Sequence, residues 1–236
     1  MTAIDVRPAA GRFHTRIDWL DSWHSFSFGH HHDPANVHHG LLLVSNDDRV
    51  APGGGFGTHP HRDMEIVTWV LSGELEHADT LGNRGVIHPG LAQRMSAGRG
   101  IMHSEMNHSD VLPVHFVQMW VLPDTAGVDP GYQQADISAA LDGGGLVAVA
   151  SGSEADAGVR IHQRDATLWA ARLPADGTVA VPDGPFAHVF VADGALTLEG
   201  AGHLATGDAA RLTAAGSPTV TGGDDGAEVL IWVTGG

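Results

Sequence analysis

The chain has 236 residues, of which 12 are basic and 28 acidic, for a formal net charge of −16 with histidine neutral. That balance excludes a surface for nonspecific binding to nucleic acid or anionic membrane, since both need clustered Lys and Arg. With no cysteine, disulfides, zinc ribbons and thiolate nucleophiles are excluded too, and 32 Gly and 12 Pro against 6% aromatic residues suit many short strands joined by turns.

In chain order, the opening "MTAIDVRPAAGRFHTRIDWLDSWHSF" has no basic region followed by an apolar one, and no later stretch approaches the roughly 20 apolar residues of a membrane span. A soluble, cytoplasmic protein is the expectation. "GHHHDPANVHHG" (29–40) holds five histidines and reads as a solvent-exposed loop or lid rather than a second metal site. "GGGFGTHPH" (53–61) lacks the Lys-Ser/Thr ending of a phosphate loop. Its glycines instead allow close backbone approach before the strand that follows.

Runs with strand chemistry recur as "GLLLVS" (40–45), "EIVTWVL" (65–71), "VHFVQMWVL" (114–122), "AHVFVA" (187–192) and "EVLIWV" (228–233), bounded by Gly, Pro and Asn turns. "YQQADISAALDG" (132–143) is the best helical candidate, closed by Gly143 and placed to bridge two halves. "VLSGELEHADTLGNRGVIHPGLAQRMSAG" (70–98) and "FVADGALTLEGAGHLATGDAARLTAAG" (190–216) share one layout of apolar strand, Gly turn, second strand, second Gly turn and closing strand ending in Ala-Gly. A duplicated antiparallel β-barrel accounts for this, with residues of one parity lining each lumen.

Two histidines at i and i+2, His59 and His61, share one face of such a strand, and His103 and Glu105 form a second pair with the same spacing. Three imidazoles and a carboxylate make an N₃O donor set suited to Fe(II), Mn(II), Cu(II), Ni(II) or Zn(II). On an octahedral ion they would leave two cis positions for substrate and O₂. Imidazole ligands must be neutral, so occupancy is expected to fall below about pH 6. The equivalent offsets in the second half land on Ala180, Pro182, Thr221 and Gly223, none of them a ligand. One metal per chain is expected.

"HSFSFG" (24–29), "PGGGFGTHPHRDMEIVTWVLSGELEHADTLGN" (52–83) and "QRMSAGRGIMHSE" (93–105) resemble the pirin family of bicupins, densely over 12–122 and at pattern level over 146–236. The resemblance implies an all-β fold of two antiparallel jelly-roll barrels with few short helices. Residues 1–130 would form a metal-binding cupin domain, and 131–236 a cupin-like domain without ligands. It implies His59, His61, His103 and Glu105 as ligands of one divalent metal, Fe(II) foremost. Many other cupins take a carboxylate at the position of Glu65, which the resemblance leaves as a support to the ligands or a substrate-side residue.

The implied activity is that of a metal-dependent quercetin 2,3-dioxygenase, cleaving a flavonol or similar aromatic enol with O₂, with Glu105 as general base if it detaches from the metal. A second reading is a non-enzymatic redox sensor whose metal state sets its affinity for a regulatory or metabolic protein partner. A third, an isomerase or hydrolase in the same barrel, would not need O₂. Trp69, Met95 and Met102 read as barrel core, some of them lining an apolar pocket above the metal.

Overall fold

Short apolar runs broken by glycine turns pair into three sheets, antiparallel except where Val147–Ser151 meets Val159–Arg160. The structure is a computed structural model that describes residues 3–236. In the first half a seven-stranded sheet has the order Gly131–Asp136, Leu91–Ser96, Glu65–Ser72, Val114–Val121, Leu42–Val50, Leu20–His24, Phe13–Ile17. A four-stranded sheet of Gly55–His61, Ile101–Asn107, Leu75–Asp79 and Arg84–Ile87 makes the other wall of this barrel. The second half is one nine-stranded sheet that curls on itself through the long strands Phe186–Leu198 and Thr219–Thr234. This is an all-β bicupin.

The seven-stranded sheet is covered on both faces. Along Glu65–Ser72, Val70 packs into the first barrel with Leu75, Val114 and Phe116, while Val67 and Trp69 join a core with Leu168, Phe190 and Trp232 of the second half. Val117, Met119 and Val121 also lie in that inter-half core. Trp232 Nε1 donates to Met119 Sδ at 3.1 Å, and Trp69 Nε1 to Glu228 Oε1 at 2.6 Å, so each buried indole finds a partner across the junction. Each fully buried large side chain contributes about 1.5–3 kcal/mol; the halves are joined as a core is, not as two surfaces touching.

Two strands cross the division expected at residue 130. Ala3–Arg7 pairs with Ala209–Thr213 in the second half's sheet, and Gly131–Asp136 pairs with Leu91–Ser96 in the first half's. The helix expected over 132–143 is confined to Ser138–Leu141. Residues 132–136 are strand instead, because the open edge of Leu91–Ser96 supplies a six-residue antiparallel ladder, whereas a short isolated helix incurs the nucleation cost for few hydrogen bonds.

The internal repeat is structural. Gly73, in the bend after Glu65–Ser72, and Gly194, at a register break inside Phe186–Leu198, both have positive φ, 76° and 75°, and a Cβ on either would press into the backbone of the adjacent strand. After the turn the two halves diverge in chemistry. His77 pairs with Glu105 in the first barrel, whereas Leu198, four residues past Gly194, pairs with Val220. The sheet register thus sets Val220, not Gly223, opposite the turn strand. Leu196, Leu198, Val181 and Val220 belong to a hydrocarbon core that fills the second lumen.

Candidate metal centre

Strand Gly55–His61 lies antiparallel to Ile101–Asn107 with His59 directly opposite His103. His61 follows on the same face two residues along. The three rings converge, with centroids 4.9 Å apart for His59 and His61, 4.5 Å for His59 and His103, and 5.0 Å for His61 and His103. One nitrogen from each lies within 4.8 Å of the others.

Hydrogen bonds sort the ring nitrogens. His59 Nδ1 donates to the Gly57 carbonyl oxygen at 2.8 Å, which leaves Nε2 as its lone pair. His103 Nδ1 lies 3.3 Å from His77 Nδ1, and His77 Nε2 lies 3.5 Å from Asp79 Oδ2. One proton arrangement satisfies this chain: His103 donates to His77, and His77 donates to Asp79. The Nε2 atoms of His61 and His103 are buried without any partner. Such orphans are rare and costly in proteins, and three converging imidazole lone pairs fit a divalent transition metal. A ligand imidazole whose other nitrogen is held by a carboxylate or carbonyl is the usual supporting arrangement.

Burial, with the neighbouring imidazoles adding to it, pushes both His61 and His103 down to about 3. Both rings are therefore neutral well below the pH of about 6 suggested by unperturbed histidine. Burial opposes ionisation of Asp79, but the Asn83 side chain, the N–H groups of Asn83 and Leu81, and His77 hold its carboxyl below the usual range.

Glu105 is fully enclosed. Gln118 Nε2 donates to both its oxygens, at 2.9 and 2.7 Å, and Thr68 Oγ1 approaches at 3.4 Å. Burial raises its pKa against these bonds. Its carboxylate lies within 4.8 Å of ligand nitrogens on His77 and His103, beside the three-imidazole cluster. Glu65 is elsewhere. Asp63, at φ 48°, turns the chain out of the four-stranded sheet, so the two-residue phase linking His61 to Glu65 is broken. Glu65 begins the next strand on the face toward the second half, where its oxygens accept from Ser96 Oγ at 2.7 Å and meet His162 Nδ1 at 3.3 Å. It is neither a support to the ligands nor a substrate-side residue.

Sequence reasoning missed a row of polar side chains. Adjacent strands pair His24 with Asn46, Asn46 with Gln118, Gln118 with Thr68 and Thr68 with Gln93, all on the lumen face. The available signal was Thr68 and Gln118, each a polar residue at lumen parity among the apolar residues of its strand. Trp120 Nε1 donates to Gln118 Oε1 at 3.0 Å, fixing the amide that grips Glu105.

A cavity of about 460 Å³ opens over the cluster, reached by His59, His61 and Glu105 and walled by Trp19, Phe28, Phe56 and Trp120. Trp120 meets His61 edge-on, its ring centroid 4.9 Å away. His24, Asn46 and Asp48 form the far wall. Burial pushes the Asp48 carboxyl up to about 7, with the Ser22 hydroxyl hydrogen bond opposing it. Of the residues read as barrel core, Met95 is buried beside Ile66 and Ile101, Trp69 lies between the halves, and Met102 is 43% exposed outside the barrel. The histidine-rich segment is partly structural: Gly29 and His30 line the cavity, His31 stacks on Phe13 at 5.2 Å, and His39 Nε2 donates to the Leu212 carbonyl at 3.0 Å.

Residues 5–121 match the Pirin family, and 148–232 match the quercetinase C-terminal cupin domain. The chain is 58% identical over 234 residues to Rv0181c of Mycobacterium tuberculosis, whose name provisionally assigns it quercetin 2,3-dioxygenase activity, covering 98% of this chain and 96% of that one. It is 44% identical over 160 residues to the quercetin 2,3-dioxygenase of Escherichia coli K12, covering 68% of each. The crystal structure of YhhW from Escherichia coli superimposes with a TM-score of 0.92 at 35% identity, over 99% of both chains. That of bacterial pirin YhhW in complex with nickel(II) gives 0.90 at 34%, over 99% of this chain and 100% of that one. Agreement on this scale, along both halves and across the strands that carry the histidine cluster, makes the chain a member of the pirin family.

Proposed function

We propose that this protein is a metal-dependent dioxygenase of the quercetin 2,3-dioxygenase type, cleaving a flavonol or similar aromatic enol with O₂. His59, His61, His103 and Glu105 would hold one divalent metal, Fe(II) foremost, with Cu, Mn, Ni or Zn also compatible with the donors. The observation that carries the reading is the pair of orphaned imidazole nitrogens on His61 and His103, in a cluster that opens into an aromatic-walled cavity. The name of the Escherichia coli relative and the nickel(II) in the YhhW crystal structure support it.

When bound, the metal supplies a Lewis acid and a redox centre. Everything else falls to the chain. The rings of Trp19, Phe28, Phe56 and Trp120 offer apolar faces to a flat substrate and exclude water from it. His24, Asn46 and Asp48 on the far wall can bond its hydroxyl groups. Glu105, if it detaches from the metal, takes the enol proton onto a carboxylate oxygen, and Gln118 and Thr68 orient it for the transfer.

The test is loss of flavonol absorbance by protein reconstituted separately with Fe(II), Cu(II), Mn(II) and Ni(II), with and without O₂. Oxygen-dependent turnover by at least one form is expected. Turnover by none retires the proposal, and equal turnover without O₂ replaces it with an isomerase or hydrolase.

A further inference from the structure

A second cavity, of about 220 Å³, lies between the halves, away from the histidine cluster. Its walls include Arg7 and Arg12 from the amino-terminal segment, Ser25 and Asn36 from the first half, and His188 and Arg211 from the second. Arg211 is only 6% exposed. Its Nη2 donates to the Ser25 carbonyl at 2.8 Å and to Asn36 Oδ1 at 2.7 Å, and its guanidinium carbon sits 4.3 Å from the centroid of the Phe26 ring. Arg12 is paired with Asp47 at 3.0 Å, and Arg7 with Asp5 at 2.7 Å. No carboxylate among the described residues forms an ion pair with Arg211: Asp5, opposite it on the neighbouring strand, also lines the cavity and acts on Arg211 through space, but its carboxylate is engaged by Arg7.

The walls are also short of hydrogen bonds. Among the described residues, six buried side-chain polar atoms have no partner; two belong to the proposed ligands His61 and His103, and three, Arg211 Nε, His188 Nε2 and Ser25 Oγ, belong to residues lining this cavity. The signature that marks the metal centre therefore recurs here with the opposite electrostatic sign. A guanidinium, a hydroxyl and an imidazole that can donate from Nε2 are the complement of an oxyanion. A metal cation would face the guanidinium, and an apolar ligand would leave the same atoms buried and unpaired.

We propose that this cavity binds a small oxyanion, the carboxylate or phosphate group of a compact metabolite, with Arg211 as its counter-charge and Ser25 and His188 as further donors. Because the walls come from both halves, bound anion would brace the junction.

The test titrates metal-loaded protein with inorganic phosphate and with succinate by calorimetry, with chloride as the control at matched ionic strength. The expected result is saturable one-to-one binding of at least one anion, with a rise in Tm. Affinity should fall at least tenfold in Arg211→Met, recover in part in Arg211→Lys, weaken in Ser25→Ala, and be unchanged in His59→Ala. A preference between the two probes identifies the oxyanion. Absence of saturable binding beyond the chloride control overturns the proposal. So does binding that survives Arg211→Met and Ser25→Ala but is lost in His59→Ala, which would place the anion at the metal centre. Should Arg211→Met fail to fold, Ser25→Ala and Arg211→Lys decide alone.

Discussion

Removing the metal and acidifying the protein should reveal two opposing sets of buried groups, and replacing Asp48 by Asn should separate them. His61 and His103 lie at about 3 in the fold and titrate near 6.5 when unfolded; His188 is also lowered well below 6.5, by burial first and then by Arg211. For a group with a lowered folded pKa the unfolded state binds more protons, so stability is lost as pH falls through 6.5. Going from about pH 7.5 to about 5.5, His61 and His103 each lose about 1.4 kcal/mol, about 3 together, and His188 acts in the same direction. The figure hardly depends on the folded values, since any below about 4.5 gives the same result.

Asp48 acts in the other direction. Its carboxyl is raised from 3.8 to about 7, so over the same interval the fold takes up a proton that the unfolded chain does not, and stability rises by about 2 kcal/mol. On His61, His103 and Asp48 together, metal-free wild type should therefore lose about 1 kcal/mol and Asp48→Asn about 3, with the loss at His188 common to both. Glu105 and the smaller shifts of His24 and His39 are common to both proteins and cancel in the difference. Urea midpoints of chelated protein at the two pH values measure it. Equal acid sensitivity in wild type and Asp48→Asn, or a lesser sensitivity in the variant, would refute the assignment of Asp48 as a buried, proton-binding carboxyl.

Glu105→Gln should lower metal affinity by about 10- to 100-fold or more, read as metal retained after dialysis against a weak chelator, whereas Glu65→Gln should leave it unchanged. The reverse result would overturn the ligand assignment. Met119→Ala should cost about 2–5 kcal/mol of stability, because Met119 is 1% exposed and packs in the inter-half core. Metal titration of that variant should match wild type, and a weakened metal site would contradict its placement on the sheet face away from the lumen.

The strands of this fold were legible because their apolar runs end in turn residues whose conformations the chain uses. Gly73 and Gly194 exposed the repeat before any coordinates, since both sit at positive φ where another residue would meet the neighbouring strand. What failed was the two-residue alternation. "EIVTWVL" has apolar residues at both parities, and its strand is buried along almost its entire length, because one face fills the first barrel and the other joins the second half. A strand covered on both sides has no alternation to read. Glu65, four residues after His61, would share its face only if one strand ran through both, and a turn at Asp63 ends the first strand. Residues 132–136 misled in the complementary way: their spacing resembles a helix, and only the unpaired edge of Leu91–Ser96 makes them a strand.

At the site, the candidate ligands were visible and their supports were not, for one physical reason. His59 and His61, or His103 and Glu105, are neighbours within a strand, so sequence spacing alone puts each pair on one face. Thr68, Gln118, Asn46 and His24 become neighbours only through the register between strands, and His77 reaches His103 only because Leu75–Asp79 pairs with Ile101–Asn107. Yet a rule connects them. A polar side chain set in an apolar run of a two-sided sheet must find a partner on whichever face its parity selects, because burial without one is costly. Gln118 and Thr68 find Glu105 in the lumen, and Glu65 and Ser96 find each other between the halves. The polar exceptions in such runs therefore show which face holds the chemistry, once a single cross-strand pair fixes the register.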